Sequence, residues 1–144
     1  MSLYRTLSWL IAALLLVTPV LSGCGNSQSS SSATLANGMP APGKISPEDY
    51  QNAFVGKKTQ HLLIDVRTPE EYATGIIAGA VNIPVDQLSQ RLSEVPKDQP
   101  VVVYCHSGNR SGQASQILDQ AGYTQVYDLG GISQWQSAGM PVQK

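Results

Sequence analysis

The sequence predicts one α/β domain with a mainly parallel central sheet, placed after a short leader and a tether. Short apolar runs bounded by turn residues alternate with segments of helical periodicity, which is the pattern of parallel strands joined by helices. About 100 residues follow the tether, enough for a single domain with one hydrophobic core. The formal net charge of the whole chain is only −1, so no basic excess indicates a nucleic-acid partner.

The first 23 residues have the pattern of an export signal. Arg5 is the only charged residue before Lys44, and residues 7–21 are apolar apart from a serine, a threonine and a proline. This run is shorter than the roughly 20 apolar residues of a membrane span. It ends in Leu21-Ser22-Gly23-Cys24, which resembles the bacterial lipobox, where the cysteine is lipidated and becomes the first residue of the mature chain.

The lipobox resemblance implies a lipoprotein of the bacterial cell envelope, anchored to a membrane through Cys24 and facing the periplasm or the exterior. Gly25 stands where an aspartate is associated with inner-membrane retention, which favours the outer membrane if the source has one. Two alternatives stay open, a cleaved soluble protein and an uncleaved anchor, and both would still export the domain.

Residues 24–44 are predicted to comprise the lipidated cysteine and a flexible tether, and residues 45–144 are predicted to form the domain. A serine run and a stretch of glycine, proline and alanine dominate the tether. Such a composition does not bury enough apolar surface to order itself. Twenty flexible residues give an end-to-end distance of roughly 25 Å, enough to hold a domain away from a bilayer.

Cap residues and apolar runs predict the elements of the domain in chain order. Ser46-Pro47-Glu48-Asp49 and Thr68-Pro69-Glu70-Glu71 each combine a cap, an early proline and acids at the positive end of the helix dipole, so each predicts a helix start. Strands are predicted at residues 61–66, 80–83, 100–104 and 124–129. Further helices are predicted at residues 85–92 and 110–121 and from Gly130-Gly131 through Trp135.

The predicted strand at residues 100–104 runs into a short polar loop, Cys105-His106-Ser107-Gly108-Asn109-Arg110, which precedes a helix. Ligands of parallel sheets bind beyond the carboxyl ends of the strands, where this loop lies. Gly108 lets the backbone turn successive amides inward, and the following helix adds its positive end. Both features stabilise a thiolate, so the loop predicts a nucleophile at Cys105 in a small anion-binding cup.

The other loop residues have predicted roles around the thiol. Ser107, Gly108 and Asn109 are expected to contribute backbone amides. Ser111 is expected to cap the helix in preference to donating its hydroxyl to the thiolate. Arg110 is predicted to bind an oxyanion through its planar fork, and the alternative is a helix-start residue paired with a nearby acid.

The two histidines and the pair Asp65 and Arg67 give weaker indications of function. His106 either tunes the choice of substrate or faces solvent. His61 is the only other histidine, and without a Cys/His cluster no metal site is predicted. Asp65 and Arg67 are expected to be structural, because an acid at a strand end and an arginine two residues later can pin adjacent loops through hydrogen bonds.

Cysteine usage also points to Cys105. With Cys24 assigned to lipid, Cys105 has no intramolecular partner, which is unusual in an exported protein. Its neighbours in the loop are polar and include glycine, which disfavours the alternative of a buried structural cysteine. No second cysteine is present to resolve a mixed disulfide, so disulfide exchange is not favoured.

The loop and three further segments together resemble the rhodanese family, in which a six-residue loop closes around a sulfur atom. The segments are Asp65-Val66-Arg67 with Pro69-Glu70-Glu71-Tyr72, residues 75–84 and residues 129–142. The resemblance covers residues 45–142 and implies a rhodanese-like α/β fold, with a mainly parallel sheet of about five short strands flanked by helices. Ile76 and Ala78 depart from the family pattern, which usually has histidine and proline there; the departure bears on local packing more than on catalysis.

The resemblance implies sulfane-sulfur transfer through a persulfide on Cys105, held by the loop from His106 to Ser111. The implied donor is a small sulfur-containing anion such as thiosulfate, and the implied acceptor is cyanide, a small thiol or an acceptor protein. No metal or organic cofactor is implied. A non-catalytic binding or regulatory module is the alternative. A cysteine phosphatase or arsenate reductase is less favoured, because phosphatases place five residues between cysteine and arginine and here four intervene.

Overall fold

The domain is built on a five-stranded parallel sheet, in a computed structural model that describes residues 34–36 and 38–144. The strands are β1 (Gly43–Lys44), β2 (Leu62–Asp65), β3 (Val81–Asn82), β4 (Val101–Cys105) and β5 (Val126–Gly131). Their order across the sheet is β1-β5-β4-β2-β3, and every neighbouring pair is parallel. The predicted fold class is therefore confirmed. The export signal, Cys24 and the tether through residue 33 lie outside the described residues.

Four helices connect the strands, and a fifth follows β5. They are α1 (Pro47–Tyr50), α2 (Pro69–Thr74), α3 (Val85–Leu88), α4 (Asn109–Gln120) and α5 (Ile132–Ser137). The caps predicted for α1 and α2 are confirmed, because the hydroxyls of Ser46 and Thr68 accept the N–H groups of Asp49 and Glu71. A π-helix continues α1, and a 3₁₀ turn follows α3 where the sequence predicted one longer helix. No helix among the described residues is long and apolar enough to cross a bilayer.

Two apolar clusters fill the two faces of the sheet, and β4 contributes to both. Val102 and Tyr104 lie in one cluster, whereas Val101, Val103 and Cys105 lie in the other, together with residues of α3 and α4. All five are at most 1% exposed. A strand that is buried on both faces has a continuous apolar sequence, and this pattern allowed the strand to be predicted. Its burial on both faces fixes the position from which the Cys105 loop departs.

The first strand lies in residues that the sequence assigned to the tether. Gly43 and Lys44 of β1 pair with Tyr127 and Asp128 of β5. The Tyr127 hydroxyl also donates to the carbonyl of buried Pro40 at 3.2 Å. Composition did not reveal this segment, because it joins the domain mainly through backbone groups, which any sequence possesses. The domain therefore begins before the boundary predicted after residue 44.

Candidate active site

Cys105 is the last residue of β4, at the carboxyl edge of the sheet, where the nucleophile was predicted. Its side chain is a free thiol, and the residue is 1% exposed. The N–H of Gly108 donates to its Sγ at 3.0 Å. Gly108 has φ +103°, a left-handed conformation that glycine adopts without strain. The glycine thus turns a backbone donor towards the sulfur, the feature on which the predicted cup depends.

The start of α4 adds a second source of positive potential beside the thiol. This 12-residue helix begins at Asn109, with Gly108 as its N-cap. The N–H groups of the first turn of a helix lack intrahelical acceptors and carry the positive end of its dipole. They favour negative charge on the Cys105 sulfur or on an anion at the loop.

The Cys105 loop packs directly on the end of β5. A β-carbon on Gly131 would lie 2.5 Å from the His106 carbonyl oxygen and 2.7 Å from the Ser107 Cα. The N–H and hydroxyl of Ser133, in α5, donate to that same carbonyl at 3.3 and 2.9 Å. The absence of a side chain at Gly131 therefore leaves room for the loop to lie against the sheet.

Ser111 occupies the third position of α4 and is not its cap, so the capping role expected from the sequence is wrong. Its fully buried hydroxyl lies 3.1 Å from the Gly108 carbonyl and 3.2 Å from the Gly130 carbonyl. The thiol of Cys105 donates to the same oxygen over 3.8 Å. A hydroxyl has one proton and two lone pairs. Ser111 can therefore accept from a thiol while donating to a carbonyl, or turn to donate to a thiolate.

Arg110 forms a bidentate ion pair with Glu71 of α2. Its Nη1 lies 2.5 Å from Oε2 and its Nη2 lies 2.8 Å from Oε1. The two side chains are 31% and 32% exposed. The hydrogen bonds from Arg110 lower the pKa of Glu71 to about 2, and they raise the pKa of Arg110. This geometry corresponds to the alternative of a helix-start residue paired with an acid, and oxyanion binding by Arg110 stays a prediction.

Glu71 is the site residue that sequence reasoning missed. The sequence marked Glu71 only as an acid at a helix start and as part of the segment Pro69-Glu70-Glu71-Tyr72. In the structure its Oε2 also completes a capping box, because it accepts the N–H of Thr68 at 3.2 Å. The partner that gives Glu71 its place in the site is Arg110, 39 residues later in the chain. Only the strand order that brings α2 beside the Cys105 loop creates this pair.

Asp65 and Arg67 form a buried network beneath the site. Arg67 Nε donates to both Asp65 carboxylate oxygens at 3.0 Å, and Nη2 donates to Oδ2 at 2.6 Å. Nη2 also donates to the Gly75 carbonyl at 2.7 Å, while the Asn82 amide donates to the carbonyls of Asp65 and Arg67 at 2.9 Å. The network joins the end of β2 to the turn after α2 and to β3, which is the geometry that a supporting role requires.

Backbone contacts hold the segment that departs from the family pattern. Ile76 exchanges N–H to carbonyl bonds with Gln143 in both directions at 2.8 Å. The N–H of Ile77 donates to the Tyr104 hydroxyl at 3.1 Å, and burial raises the pKa of that tyrosine. Ala78 is exposed. These backbone bonds do not depend on which side chains stand at positions 76 and 78.

The remaining loop residues face outward. His106, Ser107 and Asn109 are exposed. A depression of about 150 Å³ lies beside His106 and is also lined by Arg67 and Gln136. Within residues 34–36 and 38–144, no three His, Cys, Asp or Glu side chains are placed to hold a metal ion.

Comparisons with known proteins cover the same part of the chain. The model of the rhodanese-like domain matches residues 46–138. A sulfurtransferase of Allochromatium vinosum is 49% identical over 82 residues, which are 56% of this chain and 77% of that protein. The thiosulfate sulfurtransferase PspE of Escherichia coli is 46% identical over 71 residues, covering 48% of this chain and 68% of that protein.

Solved structures share the fold. A rhodanese-related protein from Thermoplasma volcanium has a TM-score of 0.61 at 34% sequence identity, and the match covers 69% of this chain and 96% of that one. An Escherichia coli structure described as rhodanese with anions has a TM-score of 0.53 at 40% identity, over 59% of this chain and 99% of that one.

Proposed function

The chain belongs to the rhodanese-like domain family, and from this premise we propose that it transfers sulfane sulfur from a small donor such as thiosulfate to a thiophilic acceptor. The proposed carrier is a persulfide on Cys105. One observation carries the proposal: the Gly108 N–H donates to the Cys105 Sγ at 3.0 Å, at the carboxyl end of a parallel strand. Similarity to proteins named sulfurtransferase supports the reaction class.

The first half-reaction loads sulfur onto the protein. The Cys105 thiolate attacks the outer sulfur of thiosulfate and forms a new S–S bond. The S–S bond of thiosulfate breaks, and sulfite leaves with the electron pair. The amides of the loop and the positive end of α4 stabilise the negative charge of the resulting persulfide, whose terminal sulfur occupies the cup.

The second half-reaction removes the sulfur. Cyanide, a small thiolate or a protein cysteine attacks the terminal sulfur of the persulfide. The S–S bond at Cys105 breaks, the acceptor leaves as thiocyanate or as a new persulfide, and the Cys105 thiolate is restored. Two displacements through a covalent intermediate are expected to show ping-pong kinetics. The cycle uses no redox partner, because the electrons balance between donor and acceptor.

Intact mass spectrometry tests the proposal directly. Excess thiosulfate should add one sulfur atom, about 32 Da, to the purified protein, and cyanide should remove it. The Cys105→Ser variant should gain nothing, because a serine hydroxyl cannot carry the persulfide. Full sulfur transfer by this variant would contradict the assignment. A wild-type protein that gains no mass, and whose Cys105 also resists alkylation, would instead favour the non-catalytic binding module.

We also propose that this chemistry takes place at a membrane surface, through a lipid on Cys24. The support is the apolar run at residues 7–21 and the lipobox-like tetrapeptide that follows it. The Cys24→Ala variant should leave the membrane fraction and keep its sulfur-transfer rate in solution. Persistent membrane attachment of this variant would point to an uncleaved anchor.

A further inference from the structure

The two arginines beside the Cys105 loop are each paired with a carboxylate. Arg110 is paired with Glu71 and Arg67 with Asp65. Each guanidinium carries one positive charge and each carboxylate one negative charge, so the two pairs together contribute no net charge. The donor amide of Gly108 and the start of α4 then supply the positive potential near the sulfur. This balance matters for a small dianion such as thiosulfate, which gains most from a net positive site.

The Glu71 carboxylate occupies the binding edge of Arg110. Both terminal nitrogens of the guanidinium, Nη1 and Nη2, are bound by its two oxygens. A sulfonate or similar oxyanion would use this same bidentate geometry. An incoming dianion therefore either displaces Glu71 from the Arg110 guanidinium or binds beside a carboxylate of like charge. Both routes cost affinity relative to an unpaired arginine.

We propose that Glu71 is a positioning residue that acts through Arg110 and lowers the affinity of the Cys105 site for small dianions. That this lowered affinity selects among substrates rests on the sulfur transfer proposed above. Glu71 thereby shifts the site away from free dianionic donors and towards sulfur carriers of lower charge. The pair is only about two-thirds buried on each side, so ligands and solvent reach it and it can open.

Steady-state kinetics with thiosulfate measure this role. Glu71→Gln removes the charge but keeps the capping box, because glutamine serves at that position as well as glutamate. The KM for thiosulfate should fall about fivefold, which corresponds to about 1 kcal/mol, the upper range for a solvent-accessible ion pair. The kcat should stay within about twofold, because Glu71 does not touch the reacting sulfur atoms.

Glu70→Gln is the matched control. Glu70 is exposed, lies in the same helical turn and carries the same charge, but Arg110 pairs with its neighbour. The KM of this variant should equal that of the wild type. An unchanged or raised KM in Glu71→Gln would overturn the proposal. An equal fall in both variants would also overturn it, since the effect would then come from net charge and not from the fork.

A second measurement separates this proposal from the sulfur-transfer proposal. Sulfate is an unreactive dianion, and its binding at the loop should slow alkylation of Cys105 by the neutral reagent iodoacetamide. Glu71→Gln should reach half-protection at about one-fifth of the wild-type sulfate concentration. If the wild type forms no persulfide but this shift is present, the reaction is wrong and the role of Glu71 stands. If sulfate protects both proteins equally, the role of Glu71 is wrong whatever the reaction.

Discussion

Two arginine–carboxylate pairs lie beside the Cys105 loop, and they are built in opposite ways. Arg67 and Asp65 are two residues apart, and their side chains are 3% and 0% exposed. Arg110 and Glu71 are 39 residues apart, and their side chains are 31% and 32% exposed. The buried pair is also bonded to a carbonyl in the turn after α2. The same pair of chemical groups is therefore shielded from water at Arg67–Asp65 and open to water at Arg110–Glu71.

The energetics of the two pairs should differ accordingly. Removing one partner of a buried pair leaves an uncompensated charge without water, which costs about 3–5 kcal/mol. Removing one partner of a solvent-accessible pair costs roughly 0–1 kcal/mol, because water solvates the charge that remains. The largest losses of stability are therefore expected at the buried pair of Arg67 and Asp65.

Breaking the buried pair should have the largest effect. Asp65→Asn keeps the shape of the side chain but leaves the Arg67 guanidinium without its counter-charge. The free energy of unfolding should fall by about 3–5 kcal/mol, measured by urea denaturation. Arg91→Gln is the control, since it breaks the solvent-accessible Arg91–Glu94 pair and should cost about 1 kcal/mol or less. Equal losses in the two variants would mean that burial does not distinguish the pairs.

Removing the Asn82 side chain from the buried network should have an intermediate effect on the free energy of unfolding. Asn82→Ala deletes the amide that binds the carbonyls of Asp65 and Arg67 at 2.9 Å. The loss should be about 1–3 kcal/mol, because the Arg67 carbonyl loses its donor, whereas the Asp65 carbonyl keeps the N–H of Ile83. Asn52→Ala replaces an exposed asparagine and should change the urea midpoint little. A loss at Asn82 no larger than that at Asn52 would confine the scaffold role to the ion pair itself.

Of these three changes, acidification should have the smallest effect on stability, because it removes only the contribution of the solvent-accessible Arg110–Glu71 pair. The pKa of Glu71 is lowered from 4.5 to about 2 by the hydrogen bonds from Arg110, so its stabilising effect is present above pH 4.5 and is lost as the pH falls towards 2. Glu71→Gln should be less stable than the wild type by up to about 1 kcal/mol at pH 6. This difference should shrink at pH 3. A difference that grows in acid would contradict the assigned direction of the pKa shift.

Sequence reasoning predicted the parts of the fold that depend on local pattern. The cap residues Ser46 and Thr68 mark helix starts because their hydroxyls bind amides three residues away. The run at 101–105 was readable because both of its faces are buried. The position of Cys105 at the carboxyl end of that strand follows from the same run. Each of these features is decided by neighbours in the chain.

The features that the sequence did not reveal are decided by distant contacts. Strand β1 joins the sheet through backbone groups, so its composition resembled a tether. Glu71 enters the site through a partner 39 residues away. Ser111 looked like a cap, but the helix begins two residues before it, and carbonyls of two separate segments, at Gly108 and Gly130, surround its hydroxyl. Local pattern contains no information on any of these contacts.

The strand order also determines when during synthesis the domain can become complete. Strand β4 is the central strand, and β5 lies between it and β1. Among the described strands, β5 is the last in the chain. A nascent chain that ends before residue 126 has neither that strand nor Gly131, the residue against which the Cys105 loop packs. Native pairing between distant segments forms late and slowly. The surroundings of the reactive thiol are therefore complete only after β5 has been made, and native folding of the domain cannot precede the synthesis of residues 126–131.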